Sequence, residues 1–191
     1  MPVLRRTQFY LMTRFAQGLL DNRRFLHTLG VVQASVLLAD LNGVSLEKAA
    51  VAAMLHDCAK PLDSPSLAGL LSGNSEWVEP DDFEFPQVLH APAGAVLALN
   101  QMGVQDQEVL EAIAFHPTGK RRPSMLLQVL MAADFTEPTR QYPGVDEARR
   151  LVRQDLREGL RWVLNRKIGH VRSGGKKVHP RTLAMLADLG A

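Results

Sequence analysis

The stretch Ala52–Lys60, "AAMLHDCAK", decides how the rest of the chain is interpreted. An apolar helical run ends there in the adjacent His56 and Asp57, and Lys60 follows about one helical turn later. Burying an ionised carboxylate against apolar neighbours is costly unless a partner compensates its charge. Other parts of the chain must therefore supply a partner for Asp57.

The composition is that of a globular protein with one core. The 191 residues are 46% hydrophobic and 22% charged, and this length suffices for a single domain. Cys58 is the one cysteine, so no internal disulfide can form and a reducing compartment is expected. Arg14 and Gln17 interrupt the apolar start of the chain, and no run approaches the ~18 apolar residues of a membrane helix. We therefore expect a cytoplasmic protein without a signal peptide or a membrane span.

Helical periodicity dominates the chain, and no alternating strand pattern or internal repeat interrupts it. Turn and cap residues mark several boundaries, such as Ser45 before the third helix and Asn42-Gly43 after the second. Residues 61–86, with four prolines and two glycines, are predicted to form a loop with one short helix. The predicted helices are 7–20, 23–41, 46–57, 87–102, 106–116, 124–135, 144–168 and a short last helix from Arg181. The prediction is an all-α, single-domain protein over residues 1–191.

Charge is distributed unevenly, although the formal net charge is only +2. Residues 140–181 carry twelve Lys or Arg against four Asp or Glu, whereas residues 61–86 carry six acidic residues and no basic one. A basic C-terminal third suits an anionic partner, either a small phosphate compound or a nucleic acid. The alternative is a solvated helix face, because four arginines recur every four residues: Arg149, Arg153, Arg157 and Arg161.

Four of the six histidines lie on, or at the end of, separate predicted helices: His27, His56, His90 and His116. Asp134 similarly ends the apolar helix "MLLQVLMAAD", and apolar neighbours surround each of these residues at helical spacing. Singly, each is explained as a satisfied core residue; together, on helices that must pack, they indicate a metal site. Imidazole and carboxylate ligands suit divalent iron, manganese or zinc, and Asp57 could then bridge two cations. A metal is therefore the predicted partner of Asp57.

The sequence resembles the HD-domain phosphohydrolases through their H…HD…D signature, which is formed here by His27, His56-Asp57 and Asp134. His90 and His116 resemble the extra ligands of the two-metal members. Longer motifs resemble the YqeK family of symmetrical diadenosine tetraphosphate hydrolases, over a core of about residues 23–183. These motifs are "LLHDxAK" at Met54–Lys60, "LHAxxGA" at Leu89–Ala95, "HxTG" at His116–Gly119, "ADxxEPxRxYPGV" at Ala133–Val145 and "HPxTL" at His179–Leu183.

Two positions depart from the family pattern. Pro117 follows His116 where the family usually has threonine, so a contact through the backbone carbonyl can persist but one through a hydroxyl or N–H donor is lost. Cys58 takes a position that is more often aliphatic, and we interpret it as core filler rather than a nucleophile.

The resemblance implies an HD-domain helical bundle that hydrolyses diadenosine tetraphosphate symmetrically into two ADP. It implies that one divalent metal is held by four residues: His27, His56, Asp57 and Asp134. Asp57 would bridge to a second ion that His90 and His116 complete, or these two histidines would contact the phosphates instead. Two ions about 3.5–4 Å apart can activate a water and clamp the substrate. One or two ions per chain are expected; iron is favoured, and manganese, cobalt and zinc stay open.

The resemblance also implies contacts with the polyphosphate. Asp57 and Lys60 are the predicted catalytic residues, with Lys60 reaching a phosphate oxygen and Arg140 clamping the polyphosphate. The further predicted substrate-binding residues are His90, His116, Pro117, Lys177, His179 and Thr182. The last three lie in the Gly-rich stretch "RSGGKKVHPRT" at 172–182, which could close over a nucleotide. Competing explanations are a surface lysine at 60, an Arg140–Glu137 salt bridge and a flexible surface loop.

Two other functions stay open at the level of sequence. An HD phosphohydrolase could act on a nucleoside mono- or triphosphate or a guanosine alarmone, because base specificity depends on the shape of the pocket. A helical nucleic-acid-binding protein would use the basic third, but that segment has few aromatic residues, Tyr142 and Trp162. The expected partner is thus a dinucleoside polyphosphate rather than a nucleic acid or a membrane, and a homodimer is an open expectation.

Overall fold

The computed structural model describes residues 6–73 and 75–190, and over those residues it contains helices but no strand. Its α-helices are α1 (Arg6–Leu19), α2 (Asn22–Leu41), α3 (Leu46–Leu55), α4 (Ser64–Leu71), α5 (His90–Met102), α6 (Gln107–Phe115), α7 (Met125–Thr136), α8 (Val145–Gln154), α9 (Leu156–Ser173) and α10 (Pro180–Gly190). Three 3₁₀ turns lie at Ser75–Trp77, Pro80–Glu84 and Pro86–Val88. The predicted loop at 61–86 holds the first two besides α4, and the third replaces the start of the helix predicted at 87–102, which begins at His90. The all-α prediction is confirmed. Within the described part of the chain, no helix combines the length and apolar character that crossing a membrane requires.

Short polar side chains define where most of these helices begin. In six helices, the residue before the first turn accepts a hydrogen bond from the backbone N–H three residues later. The capping residues are Asp21, Ser45, Asp63, Asp106, Ser124 and Asp155. A cap is a local signal, and the starts predicted for α2, α3, α6 and α7 therefore agree with the structure to within a residue.

The prediction of one helix over 144–168 is wrong, because the structure divides this segment into α8 and α9. Asp155, with φ −150° and ψ 110°, ends α8 and caps α9 through the N–H of Glu158. The two helices fold against each other so closely that a Cβ on Gly159 would lie 2.5 Å from the backbone N of Val152. Helical periodicity continues on both sides of the break, and the sequence pattern therefore conceals it.

Helix α7 runs through the centre of the core. Its largest almost fully buried side chains are those of Leu126, Leu127, Leu130 and Met131. A helix that is apolar on all sides is surrounded by other elements, and α7 packs against α2, α3, α6, α8 and α9. This packing holds the C-terminal end of α7, where Asp134 lies, next to α2 and the ends of α3 and α6.

Arginines of the basic third are used largely within the fold. Arg149 donates hydrogen bonds to the carbonyl oxygens of Thr136 and Glu137 at 3.0 and 2.9 Å and thereby holds the end of α7. On the exposed side, Arg150 pairs with an acidic residue one helical turn away, as does Arg161. Arg150 and Arg161 therefore lie on a solvated helix face, whereas Arg149 has a packing role.

Candidate metal centre

Five helices bring histidine and carboxylate side chains together. His56 is the C-cap of α3 and His116 is the C-cap of α6, so each directly follows an apolar run. Asp57 comes immediately after His56, and His90 opens α5. The remaining two residues lie inside helices: His27 in α2 and Asp134 in α7. All six metal ligands predicted from the sequence thus meet at one place.

Each of these histidines uses Nδ1 to bond a fixed acceptor. In three of them Nδ1 donates to a carbonyl oxygen one helical turn earlier, at 2.7 to 2.9 Å: Ala53 for His56, Gln87 for His90 and Ile113 for His116. Nδ1 of His27 lies 3.0 Å from Oε1 of Glu137. Because Nδ1 carries the proton in such bonds, Nε2 keeps the lone pair that a metal ligand requires.

The Nε2 atoms all point towards two carboxylates. Around the Asp57 carboxylate, the Nε2 atoms are those of His90 at 3.2 Å, His116 at 3.7 Å and His56 at 3.9 Å. Nε2 of His27 lies 3.1 Å from Oδ1 of Asp134. Four imidazoles from four helices therefore share one centre with two carboxylates.

This donor set fits divalent cations. A lone pair on Nε2 that faces a carboxylate oxygen is repelled by it unless a cation lies between them. Nε2 of His56 is buried and forms no hydrogen bond within residues 6–73 and 75–190. In two groups the ligand atoms lie within 4.8 Å of one another: His27, His56 and Asp57, and Asp57, His90 and His116. Because Asp57 belongs to both groups, the arrangement suits two neighbouring ions that share its carboxylate.

Burial and neighbouring charges set the protonation states at this centre. Burial alone would raise the pKa of Asp57 and of Asp134. Hydrogen bonds from His90 and His27, together with nearby positive charges that include Lys60 and Arg140, nevertheless hold both pKa values well below the usual range. Burial lowers the pKa of His90 and, more strongly, the pKa of His116. The pKa of His27 is raised instead, because hydrogen bonds to two carboxylates outweigh its burial. Ionised carboxylates and neutral imidazoles are the forms that bind a metal, and metal binding would displace a proton from His27.

An open cavity of about 780 Å³, here called the metal pocket, gives access to the centre. The residues of the centre that line it are His27, Asp57, His116 and Asp134. Five basic side chains line the same cavity: Arg23, Arg24, Lys60, Arg140 and Lys167. Cations gathered in a cleft raise the local concentration of anionic ligands, so the metal pocket is suited to a phosphate compound.

Lys60 and Arg140 are fixed on the wall of the metal pocket. Nζ of Lys60 lies 3.0 Å from Nε2 of His90 and 3.8 Å from Oδ1 of Asp57, and burial lowers the pKa of this lysine. Arg140 donates to Oδ1 of Asp134 at 2.6 Å and to its backbone carbonyl oxygen at 2.8 Å. The contacts of Lys60 with His90 and Asp57 rule out the alternative that its side chain is free on the surface. Contact with a substrate stays a prediction for both Lys60 and Arg140.

Glu137 contacts the centre, although the sequence analysis considered it only as a salt-bridge partner of Arg140. Its side chain is fully buried, and Thr139 donates to its carboxylate from the backbone N–H at 2.5 Å and from the hydroxyl at 2.6 Å. Gly30 passes so close to Oε2 that a Cβ would not fit. Through its contact with Nδ1, Glu137 orients His27, as the acidic partner of a metal-bound histidine does. His27 precedes Glu137 by 110 residues, so only the fold reveals the pair.

The structure places three of the predicted substrate-binding residues away from the metal pocket. Nε2 of His179 lies 2.8 Å from Oδ1 of Asp82. The hydroxyl of Thr182 donates to the carbonyl oxygen of Thr118 at 2.8 Å, and Lys177 is exposed. None of the three lines the metal pocket. Buried contacts attach α10 to the rest of the fold through His179 and Thr182, so their predicted nucleotide contact is not supported.

The two departures from the family pattern have simple structural explanations. Pro117 lines the metal pocket, and its carbonyl oxygen accepts a hydrogen bond from Nζ of Lys167. The backbone carbonyl is the group that a proline retains, so this contact does not depend on a threonine. Cys58 is fully buried, and burial raises the pKa of its thiol to about 12. A thiolate nucleophile is thereby excluded, in agreement with a core-filling role.

Known proteins share both the sequence pattern and the fold. An HD domain is recognised over residues 24–139, a span that includes every residue of the centre. The chain is 35% identical to a symmetrical bis(5'-nucleosyl)-tetraphosphatase of Halalkalibacterium halodurans, over 89% of this chain and 90% of the relative. It is 36% identical to the protein of that name in Bacillus subtilis, over 74% and 75% of the two chains. A crystal structure from Clostridium acetobutylicum, described as that of a predicted HD superfamily hydrolase involved in NAD metabolism, matches with a TM-score of 0.90 and 32% identity over 95% of this chain and 96% of the other.

Proposed function

This chain belongs to the HD-domain family, and on that premise we propose that it hydrolyses diadenosine tetraphosphate symmetrically into two ADP. The observation that carries the proposal is the convergence of four histidine Nε2 atoms on two carboxylates beneath a cavity lined by five basic side chains. Relatives that cover most of the chain are symmetrical tetraphosphatases, which favours this substrate over other nucleotides.

The centre would hold one or two divalent ions. His27, His56, Asp57 and Asp134 would bind the first, while His90 and His116 would bind a second that shares Asp57. When bound, such ions supply an activated water and neutralise charge on phosphoryl oxygens. We favour iron, because a histidine-rich site with a shared carboxylate suits it, and metal analysis of the purified protein distinguishes it from manganese, cobalt and zinc.

The protein itself would bind and orient the tetraphosphate. Several negative charges on the substrate match the five basic side chains of the metal pocket. Lys60 lies beside Asp57 and His90, so its ammonium group can neutralise a phosphate oxygen located at the centre. Arg140 donates hydrogen bonds to the backbone carbonyl and the carboxylate of Asp134. These bonds orient its guanidinium group, which can then clamp the polyphosphate. Two identical products follow when the middle anhydride lies at the metal centre, with two phosphates on each side.

We extend the proposal to the protein as a whole. Residues 1–191 would form one catalytic domain that acts in the cytoplasm and does not require nucleic acid. A homodimer is proposed from a row of exposed leucines on α2: Leu26, Leu29, Leu37 and Leu41. Light scattering coupled to size-exclusion chromatography measures the assembly directly, and a monomer at all concentrations would contradict the dimer.

The decisive experiment is product analysis with diadenosine tetraphosphate, using protein of known metal content. We expect ADP as the sole nucleotide product, and we expect Asp57→Asn to lower kcat/KM by at least about a thousandfold, because this carboxylate serves both ion sites. Asp40→Asn, an exposed aspartate on α2, is the matched control and should retain activity. Release of AMP and ATP, or full activity in Asp57→Asn, would contradict the proposal; preference for a nucleoside triphosphate in the same assay would redirect it.

A further inference from the structure

The turn that carries His116 connects the end of α6 to Gly119 and is here called the His116 turn, residues 115–119. The backbone N–H groups of Thr118 and Gly119 both donate to the carbonyl oxygen of Phe115, at 3.1 and 2.7 Å. The turn is thus closed at its own base. Its position relative to the metal centre depends on the elements that pack against it.

Helix α10 contacts the His116 turn through two polar side chains. The hydroxyl of Thr182 donates to the carbonyl oxygen of Thr118 at 2.8 Å, and both residues are almost fully buried. The guanidinium of Arg181 lies 4.9 Å from the centre of the Phe115 ring, a distance at which a cation is attracted to an aromatic face. These two contacts hold the chain on both sides of His116.

Two further residues of the His116 turn are held from the C-terminal helices. Met185 is fully buried and packs so closely over Gly119 that a Cβ on the glycine would lie 3.2 Å from Cβ of Met185. The carbonyl oxygen of Pro117 accepts a hydrogen bond from Nζ of Lys167 on α9. Four of the five residues in the turn thus contact α9 or α10, and the fifth, His116, directs its imidazole to the shared carboxylate of the metal centre.

The hydrogen bond from Thr182 matters most for the position of the turn. A buried carbonyl group that loses its donor bears the cost of having been removed from water. Without the hydroxyl of Thr182, the buried Thr118 would gain by moving its carbonyl group towards another donor. Such a movement would displace His116, which lies only two residues earlier in the same turn.

His116 belongs to one of the two groups of metal ligands and not to the other. Its group consists of Asp57, His90 and His116, whereas the other group, His27, His56 and Asp57, comes from α2 and the end of α3. Contacts that hold a ligand in orientation typically contribute 10- to 100-fold to metal affinity. A displaced His116 turn would therefore weaken one ion site selectively.

We propose that Thr182 is a positioning residue for the second metal ion, because its hydrogen bond to Thr118 holds the turn that presents His116. Thr182 lies in the "HPxTL" stretch at His179–Leu183, and this role accounts for a residue that does not line the metal pocket. The inference rests on the proposed function for the presence of a second ion, whereas the contacts between α10 and the His116 turn are independent of it.

Titration of the metal-free protein with Co²⁺, followed by calorimetry and visible absorption, tests the proposal. We expect the wild-type protein to bind two ions, and His116→Ala identifies the affinity of the second because it removes a ligand of that group only. Thr182→Val loses the hydroxyl at nearly constant volume. It should raise the dissociation constant of the second ion about 10- to 100-fold and leave that of the first unchanged. Thr182→Ser keeps the hydroxyl and should bind both ions as the wild-type protein does.

Asp188→Ala is the matched control on the same helix. The carboxylate of Asp188 accepts a hydrogen bond from the backbone N–H of Arg122 at 2.8 Å, beyond the His116 turn. Its loss removes a comparable contact of α10, and both Co²⁺ affinities should stay at the wild-type values. The proposal would be overturned by wild-type affinities in a folded Thr182→Val protein, by equal weakening of both ions, or by the same loss in Asp188→Ala. A wild-type protein that binds one ion without any contribution from His116 would overturn it as well.

Amide hydrogen exchange provides a second test that needs no metal. In the metal-free protein, Thr182→Val should accelerate exchange at the amides of Thr118 and Gly119 by about tenfold, because the turn loses a buried hydrogen bond. Amides in the middle of α2 should exchange at wild-type rates. Unchanged exchange at both amides of the turn would show that Thr182 does not hold it and would overturn the proposal.

The two proposals fail in different ways. If Thr182→Val loses the second ion selectively but the wild-type protein does not cleave diadenosine tetraphosphate, the positioning role stands and the proposed function is wrong. If the wild-type protein cleaves this substrate into two ADP and Thr182→Val binds both ions normally, the proposed function stands and the positioning role is wrong.

Discussion

Two buried carboxylates in this fold meet histidines in opposite ways. Asp82 accepts hydrogen bonds from Nε2 of His179 at 2.8 Å and from the backbone N–H of Glu79 at 2.8 Å, and it contacts the guanidinium of Arg181 directly. We call Asp82, His179 and Arg181 the Asp82 cluster. At the metal centre, the lysine and arginine side chains nearest to Asp57 are those of Lys60 and Arg24, each at 3.8 Å.

The different neighbours of the two carboxylates explain why the centre around Asp57 suits a metal ion, whereas the Asp82 cluster does not require one. Arginine stays charged at every physiological pH, so the Asp82 cluster is neutralised by the chain itself. Asp57 instead faces three imidazole nitrogens whose protons are on the far side of the ring. A histidine next to an aspartate is therefore an ambiguous feature, and the atom that the histidine turns towards the carboxylate decides its role.

The largest expected effect separates the two sites by stability and by metal binding. Asp82→Asn should lower the free energy of unfolding by about 3 kcal/mol, because the partly buried guanidinium of Arg181 would lose the carboxylate that it contacts directly and would keep the more distant Glu79, at 3.6 Å. Metal content per folded chain should be unchanged. Asp57→Asn should have the opposite pair of effects. Its metal content should fall, whereas its midpoint of unfolding in urea, measured with a chelator present, should stay close to that of the wild-type protein.

Urea titrations monitored by circular dichroism, together with metal analysis of the folded fraction, measure both quantities. Loss of metal in Asp82→Asn, or a large destabilisation of metal-free Asp57→Asn, would remove the distinction between the two sites.

An intermediate effect is expected at Glu137, which lies between a structural and a chemical role. Glu137→Ala removes the acceptor for Nδ1 of His27 and should weaken metal affinity about 10- to 100-fold, because the imidazole is no longer held in orientation. Glu137→Gln retains an acceptor oxygen and should recover part of the affinity. Competition with a chromophoric chelator gives the dissociation constants.

Thr139→Val provides the control for this prediction, since it removes one hydrogen bond to Glu137 without touching His27. Unchanged metal affinity in a folded Glu137→Ala protein would show that Glu137 serves the turn alone.

The smallest expected effect concerns pH. Burial lowers the pKa of Lys167 to about 8, so this lysine loses its positive charge as the pH rises through that value. An anionic substrate is then attracted less, and kcat/KM should fall by about tenfold on the alkaline side. Lys167→Arg keeps the charge and should remove this fall from the pH profile. Identical alkaline limbs in the two proteins would assign the fall to another group.

The six ligands predicted from the sequence lie together in the structure, because the burial of several of them follows local rules. His56 and His116 follow apolar helices, and Asp134 lies in the last turn of the apolar helix α7, so their burial can be inferred from neighbours a few residues away. The caps at Ser45 and Asp106 are equally local. The break at Asp155 was missed, since the residue that caps one helix leaves the periodicity of both intact.

Contacts between distant residues could not be predicted in the same way. Glu137 meets His27 across 110 residues, and His179 meets Asp82 across 97. The sequence analysis assigned His179 to a nucleotide and considered Glu137 only as a salt-bridge partner of Arg140, because nothing near either residue in the chain reveals its partner.

The sequence by itself determined that this protein is a helical bundle with a set of histidines and aspartates suited to divalent metals, because helix periodicity, caps and ligand chemistry are properties of short stretches. Only the tertiary structure decided which buried histidines converge on Asp57 and which one donates to Asp82, the partner of an arginine, and where basic side chains line a cavity beside the centre. The physical reason is that hydrogen-bond direction and cavity shape depend on how α2, α3, α5, α6, α7 and α9 pack together, and this packing joins residues that are far apart in the chain.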